Sequence, residues 1–443
     1  MRKMFCMLAL GLGLIAGCSS GEVNSSTKSA QGEAFPEEAA AEDAVTIEYW
    51  HVNNEDWGGN AVKEIVQNFN ESQDRIIVKE TFQPGNYAGL LQNAQAAISG
   101  GHPPDVVQIG YNYISYVTEN VPYVPIETLA AEDEKDPDFL SENYLENILD
   151  LGRPPGGDDI AGLPYGLSNP IFYINADLLA EAGWDPDHLP QTWDEVRSLS
   201  EMVRDKTGEY GLYIQEPPDS WAQYALVRSN GGHFLGEEDG KPVATLDMPE
   251  VIEVFDLMGD MVANGSALHM TWEEGIQAFT NGKVAMMMTT IGRRASIEEQ
   301  SDFDLRSAVI PTFGDKERMV AAGGNALFTF SQDEEKQKAA WEFMKYLATP
   351  EAMQIWVEGT GYLPPVDGLA EDPDSLGPFF ESNPLMQTAS QQMEDVVPWI
   401  NFPGENGIQA EQVLLDARDE ILNGQPAEEV LKDANRKINE FIQ

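Results

Sequence analysis

The sequence predicts an α/β protein made of two lobes. Residues 45–110 alternate strand, helix, strand, helix and strand, which is the pattern of an open sheet with helices on its faces. A second series of strands and helices begins near residue 158 and leads to a helical tail at 409–442. About 400 residues would remain after removal of an N-terminal signal, which is more than one hydrophobic core usually covers. These three observations favour two lobes.

The first lobe is predicted from residues 45–110. Val45, Ile47 and Tyr49 alternate with polar residues, as the side chains of a half-buried strand do. The elements that follow are a helix with apolar residues at 62, 65, 66 and 69, a strand over 75–82, a helix over 87–98 and a buried strand over 105–110. Open sheets bind ligands beyond the carboxyl ends of their strands. The loops at 51–57, 83–87 and 110–112 are therefore candidate binding loops.

The second lobe is predicted from the chain that follows. IFYI (171–174) predicts a strand, and Thr192 with Glu195 predicts the capped start of a helix. Further predicted helices cover 177–183, 221–229, 249–264 and 272–280, and further predicted strands cover 211–215, 283–290, 303–314 and 323–330. Met286 to Met288 would suit a soft metal ion, but consecutive strand residues point to opposite faces, which favours core packing.

The N-terminus predicts export and a lipid anchor. Arg2 and Lys3 precede an uncharged apolar run that is shorter than the roughly 20 residues of a membrane-spanning helix. Small residues then lead into Cys18, an arrangement that resembles the bacterial lipoprotein signal; an ordinary cleaved signal with an accidental cysteine is the alternative. We predict a signal peptide over 1–17, lipidation at Cys18 and a flexible tether over 18–44, because the tether has almost no large apolar residue. The protein would be extracytoplasmic, anchored to the cell membrane through that cysteine.

The formal charge of −49 excludes whole classes of partner. Nucleic-acid binding needs a cationic face, which so acidic a chain does not offer. Anionic lipid head groups would also repel it, so only the lipid anchor would hold it at a membrane. We interpret the excess of acid as an adaptation to saline or alkaline surroundings, because salt screens the self-repulsion of like charges.

Six segments, in this order, resemble one known family. They are SGGHPPDVVQIG (99–110), GLPYGLSNPIFYINADLLAEAG (162–183), LPQTWDEV (189–196), FTNGKVAMM (279–287), AAWEFMKYLATPE (339–351) and TGYLPP (360–365). The sequence resembles the extracellular solute-binding proteins of family 1, the capture components of ABC importers. Within that family it is similar to the carbohydrate- and glycerol-3-phosphate-binding members. The resemblance covers nearly the whole chain after the tether.

The resemblance implies a periplasmic-binding-protein-like fold of type II. In that fold two α/β lobes are joined by a hinge of several crossings and close on a ligand between them. The implied crossings lie near 163–169, 289–293 and 321–325. On this basis the N-terminal lobe is predicted to contain 45–164 and 291–322, and the C-terminal lobe to contain 165–290 and 323–443.

The resemblance also implies part of the ligand site. Tyr87, Ser168, Gly324 and Tyr362 match ligand-contacting residues of the glycerol-3-phosphate-binding members. Thr290 stands in place of a serine, which keeps a hydroxyl group. All five are therefore expected to contact the ligand.

Two departures from the family pattern bear on the ligand. Tyr111 stands where those members have a glutamate that holds glycerol, and no arginine occurs at 399–406, where their phosphate-binding arginine should fall. A buried phosphate needs charge-assisted partners. Arg293 or Arg294 could substitute, and either could equally be a solvated surface residue. The sequence therefore favours a neutral carbohydrate over a phosphorylated ligand.

Carbohydrate chemistry adds further candidates. Aromatic rings stack on the apolar faces of sugars, and polar side chains bond to the hydroxyl groups. Glu55 and Trp57 on the first candidate loop, Trp221 at a predicted helix start, and Trp399 fit this chemistry, as do Tyr111 and Tyr362. For each aromatic residue, core packing is the alternative.

We predict a monomeric solute-binding protein that captures a carbohydrate, is not an enzyme, and needs no cofactor and no metal.

 The predicted ligand is an uncharged oligosaccharide, which the two lobes enclose and then deliver to the ABC permease subunits in the membrane. A binder of sn-glycerol 3-phosphate or of glycerophosphodiesters is the alternative within transport. A lipid-anchored glycosidase is a remote alternative, because it needs two carboxylates facing each other across a cleft, and so acidic a sequence always offers some plausible pair.

Overall fold

The computed structural model describes residues 44–154, 157–216, 219–399 and 402–442. The predicted signal peptide, Cys18 and the tether up to residue 43 lie outside these ranges. Among the helices that are described, none is both long enough and apolar enough to cross a membrane.

The strands belong to two five-stranded sheets and two small ones. They are β1 (Val45–His51), β2 (Ile76–Phe82), β3 (Val106–Gly110), β4 (Leu163–Ser168), β5 (Pro170–Asn175), β6 (Tyr210–Ile214), β7 (Leu235–Glu238), β8 (Lys241–Ala244), β9 (Ala267–Leu268), β10 (Val284–Thr290), β11 (Leu305–Ala308), β12 (Val320–Ala321), β13 (Gly323–Phe328) and β14 (Val396–Val397). The two large sheets form the centres of the two lobes.

The helices cover the sheets and connect their strands. They are α1 (Gly59–Ser72), α2 (Asn86–Ser99), α3 (Ile114–Asn120), α4 (Ile126–Glu132), α5 (Phe139–Asn143), α6 (Glu146–Leu149), α7 (Ala176–Ala182), α8 (Trp193–Thr207), α9 (Trp221–Ser229), α10 (Pro249–Ala263), α11 (Trp272–Thr280), α12 (Arg294–Gln300), α13 (Glu334–Leu347), α14 (Pro350–Thr360), α15 (Gly377–Ser382), α16 (Pro384–Ser390), α17 (Gly407–Leu422) and α18 (Ala427–Ile442). Short 3₁₀ turns follow several strands, among them Glu55–Trp57, Tyr111–Tyr113 and Ile291–Arg293.

The sheet of the first lobe has the strand order β2-β1-β3-β13-β4. Strands β1, β2 and β3 are parallel, whereas β13 runs antiparallel to both β3 and β4. The predicted apolar face of α1 is confirmed, since Val62, Ile65, Val66 and Phe69 are all buried. The carboxyl ends of β1 and β3 lead directly into the turns that carry Trp57 and Tyr111.

The sheet of the second lobe has the strand order β11-β5-β10-β6-β9. Its central strand β10 is buried along its whole length, and Met286 to Met288 are fully buried, so the prediction that these methionines pack in the core is confirmed. The predicted capping box at the start of α8 is also confirmed: Thr192 Oγ1 accepts a hydrogen bond from the Glu195 backbone, and the Glu195 carboxylate accepts one from the backbone of Thr192.

The chain passes between the sheets at two short connections. Asn169 separates β4 of the first sheet from β5 of the second. Ala322 separates β12, which pairs with β14 and lies in the core of the second lobe, from β13 of the first sheet. The predicted lobe boundaries need correction at this point. Leu305–Ala308 lies in the second sheet although 291–322 was assigned to the first lobe, and Gly323–Phe328 lies in the first sheet although 323–443 was assigned to the second. The sheet to which a strand belongs depends on its pairing with strands that are distant in the sequence. A local sequence pattern therefore does not predict it.

Candidate functional site

Aromatic rings are stacked at the junction of the two lobes. Tyr362 lies on Trp356 with ring centroids 5.3 Å apart and planes 3° apart, and Trp356 lies on Tyr165 at 4.6 Å. Trp57 contacts Tyr362 with centroids 6.2 Å apart, and Trp272 of the second lobe meets Trp57 edge-on at the same distance. The structure therefore brings two predicted site residues, Trp57 and Tyr362, into direct contact and adds Trp272.

Hydroxyl and amide groups line the same junction. The Tyr87 hydroxyl lies 3.2 Å from the Tyr362 hydroxyl and accepts a hydrogen bond from Asn325 Nδ2 at 3.0 Å. Burial raises the pKa of Tyr87 to about 12, so its phenol stays protonated at neutral pH and can donate a hydrogen bond. Asn325 Oδ1 is buried without a hydrogen-bond partner among the described residues. It can accept a hydrogen bond from a ligand hydroxyl.

Ser168 and Trp221 meet over Gly323. A Cβ atom at Gly323 would lie 2.6 Å from Ser168 Oγ and 2.8 Å from the Trp221 ring, so only glycine fits between them. The indole Nε1 of Trp221 is buried and has no hydrogen-bond partner within the part of the chain that the structure describes. A buried donor of this kind is costly unless something binds it. Here a ligand oxygen would be a suitable partner.

Gly324 and Thr290 shape the backbone of the hinge. Gly324 has a φ of 112°, and a Cβ atom there would lie 1.9 Å from the carbonyl oxygen of Gly166. Only glycine tolerates this combination of torsion and close approach. The Thr290 hydroxyl accepts a hydrogen bond from Gly292 N at 3.0 Å and so holds the turn that follows β10. Both residues border the cluster, and their contact with a ligand stays a prediction.

Tyr111 and Trp399 line a separate cavity of about 250 Å³. Residues of the first lobe form most of its wall, among them Ile114 and Leu151, and Pro398 adjoins Trp399 on the other side. The volume is slightly below the usual range for small-molecule pockets, which begins at about 300 Å³. The structure thus brings these two predicted residues together in the lining of one cavity.

Glu55 is the predicted site residue that the structure leaves outside. Its side chain is 81% exposed and lies 3.7 Å from Lys63 on the surface. In the short turn Glu55–Trp57 the tryptophan ring points inward, where its Nε1 donates a hydrogen bond to Gly292 O at 2.9 Å. Because neighbouring residues of a tight turn point in different directions, the turn that buries Trp57 exposes Glu55.

Neither Arg293 nor Arg294 is a solvated surface residue. Each is only 6% exposed. The Arg293 guanidinium lies 4.8 Å from the centre of the Trp272 ring and 5.7 Å from that of Trp57, and it donates to Glu273 at 2.5 Å. Arg294 instead pairs with Glu298, away from these rings. Only Arg293 is therefore part of the aromatic cluster.

Sequence reasoning missed two acidic residues at the junction, Asp219 and Glu411. Burial raises the pKa of Glu411 to about 7 and that of Asp219 to about 6. Glu411 occupies the buried side of α17, between Ala410 and Leu414. A charged residue on the apolar face of an otherwise amphipathic helix is the sequence signal that could have revealed it. Asp219 carries no comparable local signal.

The fold and this cluster define a two-lobed solute-binding protein with its candidate site at the lobe junction. The chain belongs to the bacterial extracellular solute-binding proteins, whose family model matches residues 64–388, well over half of the chain. This confirms the resemblance found in the sequence. The protein is thus a substrate-binding protein of an ABC importer, and its relatives are solute-binding proteins of transport systems.

Individual relatives agree with this assignment. The sn-glycerol-3-phosphate-binding periplasmic protein UgpB of Rhizobium meliloti is 27% identical over 422 residues, which is 91% of this chain and 94% of that protein. The crystal structure of UgpB from Mycobacterium tuberculosis in complex with glycerophosphocholine has a TM-score of 0.78 at 20% identity and covers 90% of this chain and 98% of its own. The cyclic α-maltosyl-1,6-maltose binding protein of Arthrobacter globiformis has a TM-score of 0.75 at 20% identity, with coverages of 90% and 99%. These solved structures are type II periplasmic-binding-protein folds, which confirms the predicted fold class.

Proposed function

We propose that this protein captures a neutral carbohydrate between its lobes and delivers it to the membrane permease of an ABC importer. The observation that supports this ligand is the combination of aromatic rings with uncharged hydroxyl and amide groups at the lobe junction. Trp57 and Tyr362 are apolar rings that stack at this junction, and Asn325 Oδ1 and Trp221 Nε1 are an acceptor and a donor with no partner among the described residues. Sugars present the complementary groups, apolar CH faces and hydroxyls.

Capture would follow from lobe closure. A ligand that contacts both lobes binds the closed state better than the open one and therefore shifts the population toward closure. The closed form would then present both lobe surfaces to the permease. Lipidation of Cys18, which we also propose, would hold the protein near that permease; a Cys18→Ser variant is expected to leave the membrane fraction, and its retention there would contradict the anchor.

Binding of a glycerol phosphate or a glycerophosphodiester is the second candidate. The names of the UgpB relatives support it, and so does Arg293, whose Nε is buried without a partner among the described residues. The acid partner Glu273 already neutralises this guanidinium, which weakens it as a phosphate ligand. The neutral ligand is therefore the better supported of the two.

A thermal-shift screen followed by calorimetric titration tests the choice. The purified full-length chain is mixed with maltotriose, raffinose, cellobiose and trehalose, and separately with sn-glycerol 3-phosphate and glycerophosphocholine. We expect one or more sugars to raise the melting temperature and to titrate with one site and no product. Stabilisation by the phosphate compounds alone would reject the neutral ligand in favour of the second candidate.

A further inference from the structure

Two carboxyl groups of the second lobe lie at the junction without a cationic partner. Glu411 is 8% exposed, and its Oε1 accepts a hydrogen bond from Ser220 N at 3.2 Å. Asp219 precedes α9, and its Oδ1 accepts one from Trp221 N at 3.1 Å. Over the ranges that the structure describes, neither carboxylate forms an ion pair. The backbone amide of Ser220, which follows Asp219, thus links this part of the chain to Glu411 of α17.

Arg418 is close to both acids but is paired elsewhere. It is 1% exposed, and its Nε and Nη2 donate to Asp419 Oδ1 at 3.1 and 3.0 Å. Its Nη1 donates to the backbone oxygen of Asp219 at 2.9 Å and not to the carboxylate. Asp419 already balances the positive charge of Arg418. When Asp219 and Glu411 are ionised, this group of four side chains therefore carries a net negative charge.

The two acids interact electrostatically with tyrosines of the first lobe. Burial is the main cause that raises the pKa of the Tyr113 phenol, and the charges of Glu411 and Asp219 raise it further. The charge of Asp219 also acts on Tyr87, whose hydroxyl belongs to the hydrogen-bonded group at the hinge. Asp219 also contacts the backbone of Trp221, whose buried Nε1 has no hydrogen-bond partner among the described residues.

We propose that Asp219 and Glu411 determine the specificity of the site, by repelling anionic solutes and by accepting hydrogen bonds from the hydroxyl groups of an uncharged ligand. The proposal rests on the proposed function, since it concerns the ligand of the same site. Like charges brought together at a desolvated interface are strongly unfavourable. Carboxylates accept hydrogen bonds from hydroxyl groups and cannot donate them to a phosphate unless they are protonated.

The double variant Asp219→Asn/Glu411→Gln tests the proposal, because it removes both charges at nearly constant shape. The control is Asp416→Asn/Glu420→Gln, which makes the same charge change on exposed positions of α17. Binding of sn-glycerol 3-phosphate and of the sugars named above is measured by calorimetry at pH 8 for the full-length wild type and both variants. Circular dichroism and melting temperature establish that each variant is folded, and the single variants replace the double variant if it is not.

We expect the wild type to bind sn-glycerol 3-phosphate at least about tenfold more weakly than the double variant, and the control to behave as the wild type. A sugar that binds the wild type should bind the double variant about tenfold more weakly. Equal phosphate binding by wild type and double variant, or an equal gain in the control, would overturn the proposal. Failure of every sugar to bind the wild type would reject the proposed ligand. In that case, tighter binding of sn-glycerol 3-phosphate by the double variant, and not by the control, would still support the role of the two acids.

Discussion

Replacing Glu411 with glutamine should remove a pH-dependent loss of stability. Burial raises the pKa of Glu411 from its ordinary 4.5 to about 7. Between these values the folded protein holds a proton on Glu411 that the unfolded chain releases. The stability that this proton contributes is fully present below pH 4.5 and is lost as the pH rises through 7. Glutamine stays neutral at every pH, so the variant should not show this loss.

The size of the effect follows from the two pKa values. The interval from 4.5 to about 7 corresponds to about 3 kcal/mol at about 1.4 kcal/mol for each tenfold change in proton affinity. Most of that interval lies between pH 5 and pH 8. The free energy of unfolding of the wild type should therefore fall by about 2–3 kcal/mol more than that of the variant over this range.

Urea unfolding followed by tryptophan fluorescence at pH 5, 6, 7 and 8 provides the measurement. Comparing wild type with Glu411→Gln cancels the contributions of titrating groups that do not interact with Glu411, such as Glu216. Asp416→Asn, an exposed change on the same helix, serves as the control and should follow the wild type. If the curves of wild type and Glu411→Gln ran parallel with pH, Glu411 would be ionised in the folded state without cost, and the reasoning from its burial would be refuted.

Three further predictions concern the hinge, the site and the surface. Gly324→Ala should lower the free energy of unfolding by roughly 2 kcal/mol or more, because the added Cβ would lie 1.9 Å from Gly166 O. Gly183 also has a positive φ but open space around it, so the control Gly183→Ala should lower the free energy of unfolding by about 1 kcal/mol or less. Equal losses of the two variants in urea unfolding would contradict this prediction. Trp221→Phe should weaken binding of the best sugar of the screen by about 1 kcal/mol in calorimetry, because a ligand oxygen would lose the Nε1 donor, which has no protein partner among the described residues; unchanged affinity would remove Trp221 from the site. The melting temperature should rise between 0.05 and about 1 M NaCl as the charge of −49 is screened, and a flat or falling curve would contradict the interpretation of the acidic surface.

Local elements could be predicted from the sequence because local chemistry decides them. Helix α11 begins at Trp272 and ends at Thr280, as predicted, because its apolar residues recur at helical spacing. The capping box of α8 could be predicted because its two residues lie within four positions of each other in the sequence. Trp57 and Tyr362 were chosen from chemistry and resemblance, and the structure brings them together, yet the same reasoning also chose Glu55, which is exposed.

The sequence by itself determined the α/β class, the order of strands and helices and the acidic character of the chain, because these depend on composition and on periodicity over a few residues. The two-lobed type II fold and several of the candidate site residues were implied by the resemblance to a known family. Only the tertiary structure decided that Leu305–Ala308 belongs to the second sheet and Gly323–Phe328 to the first, the reverse of the predicted assignment. It also decided that Asp219 and Glu411, far apart in the sequence, are near enough to interact electrostatically. The physical reason is the same in both cases. Strand partners and the burial of a charge depend on residues that are far apart in the chain, and their contacts exist only once the chain has folded.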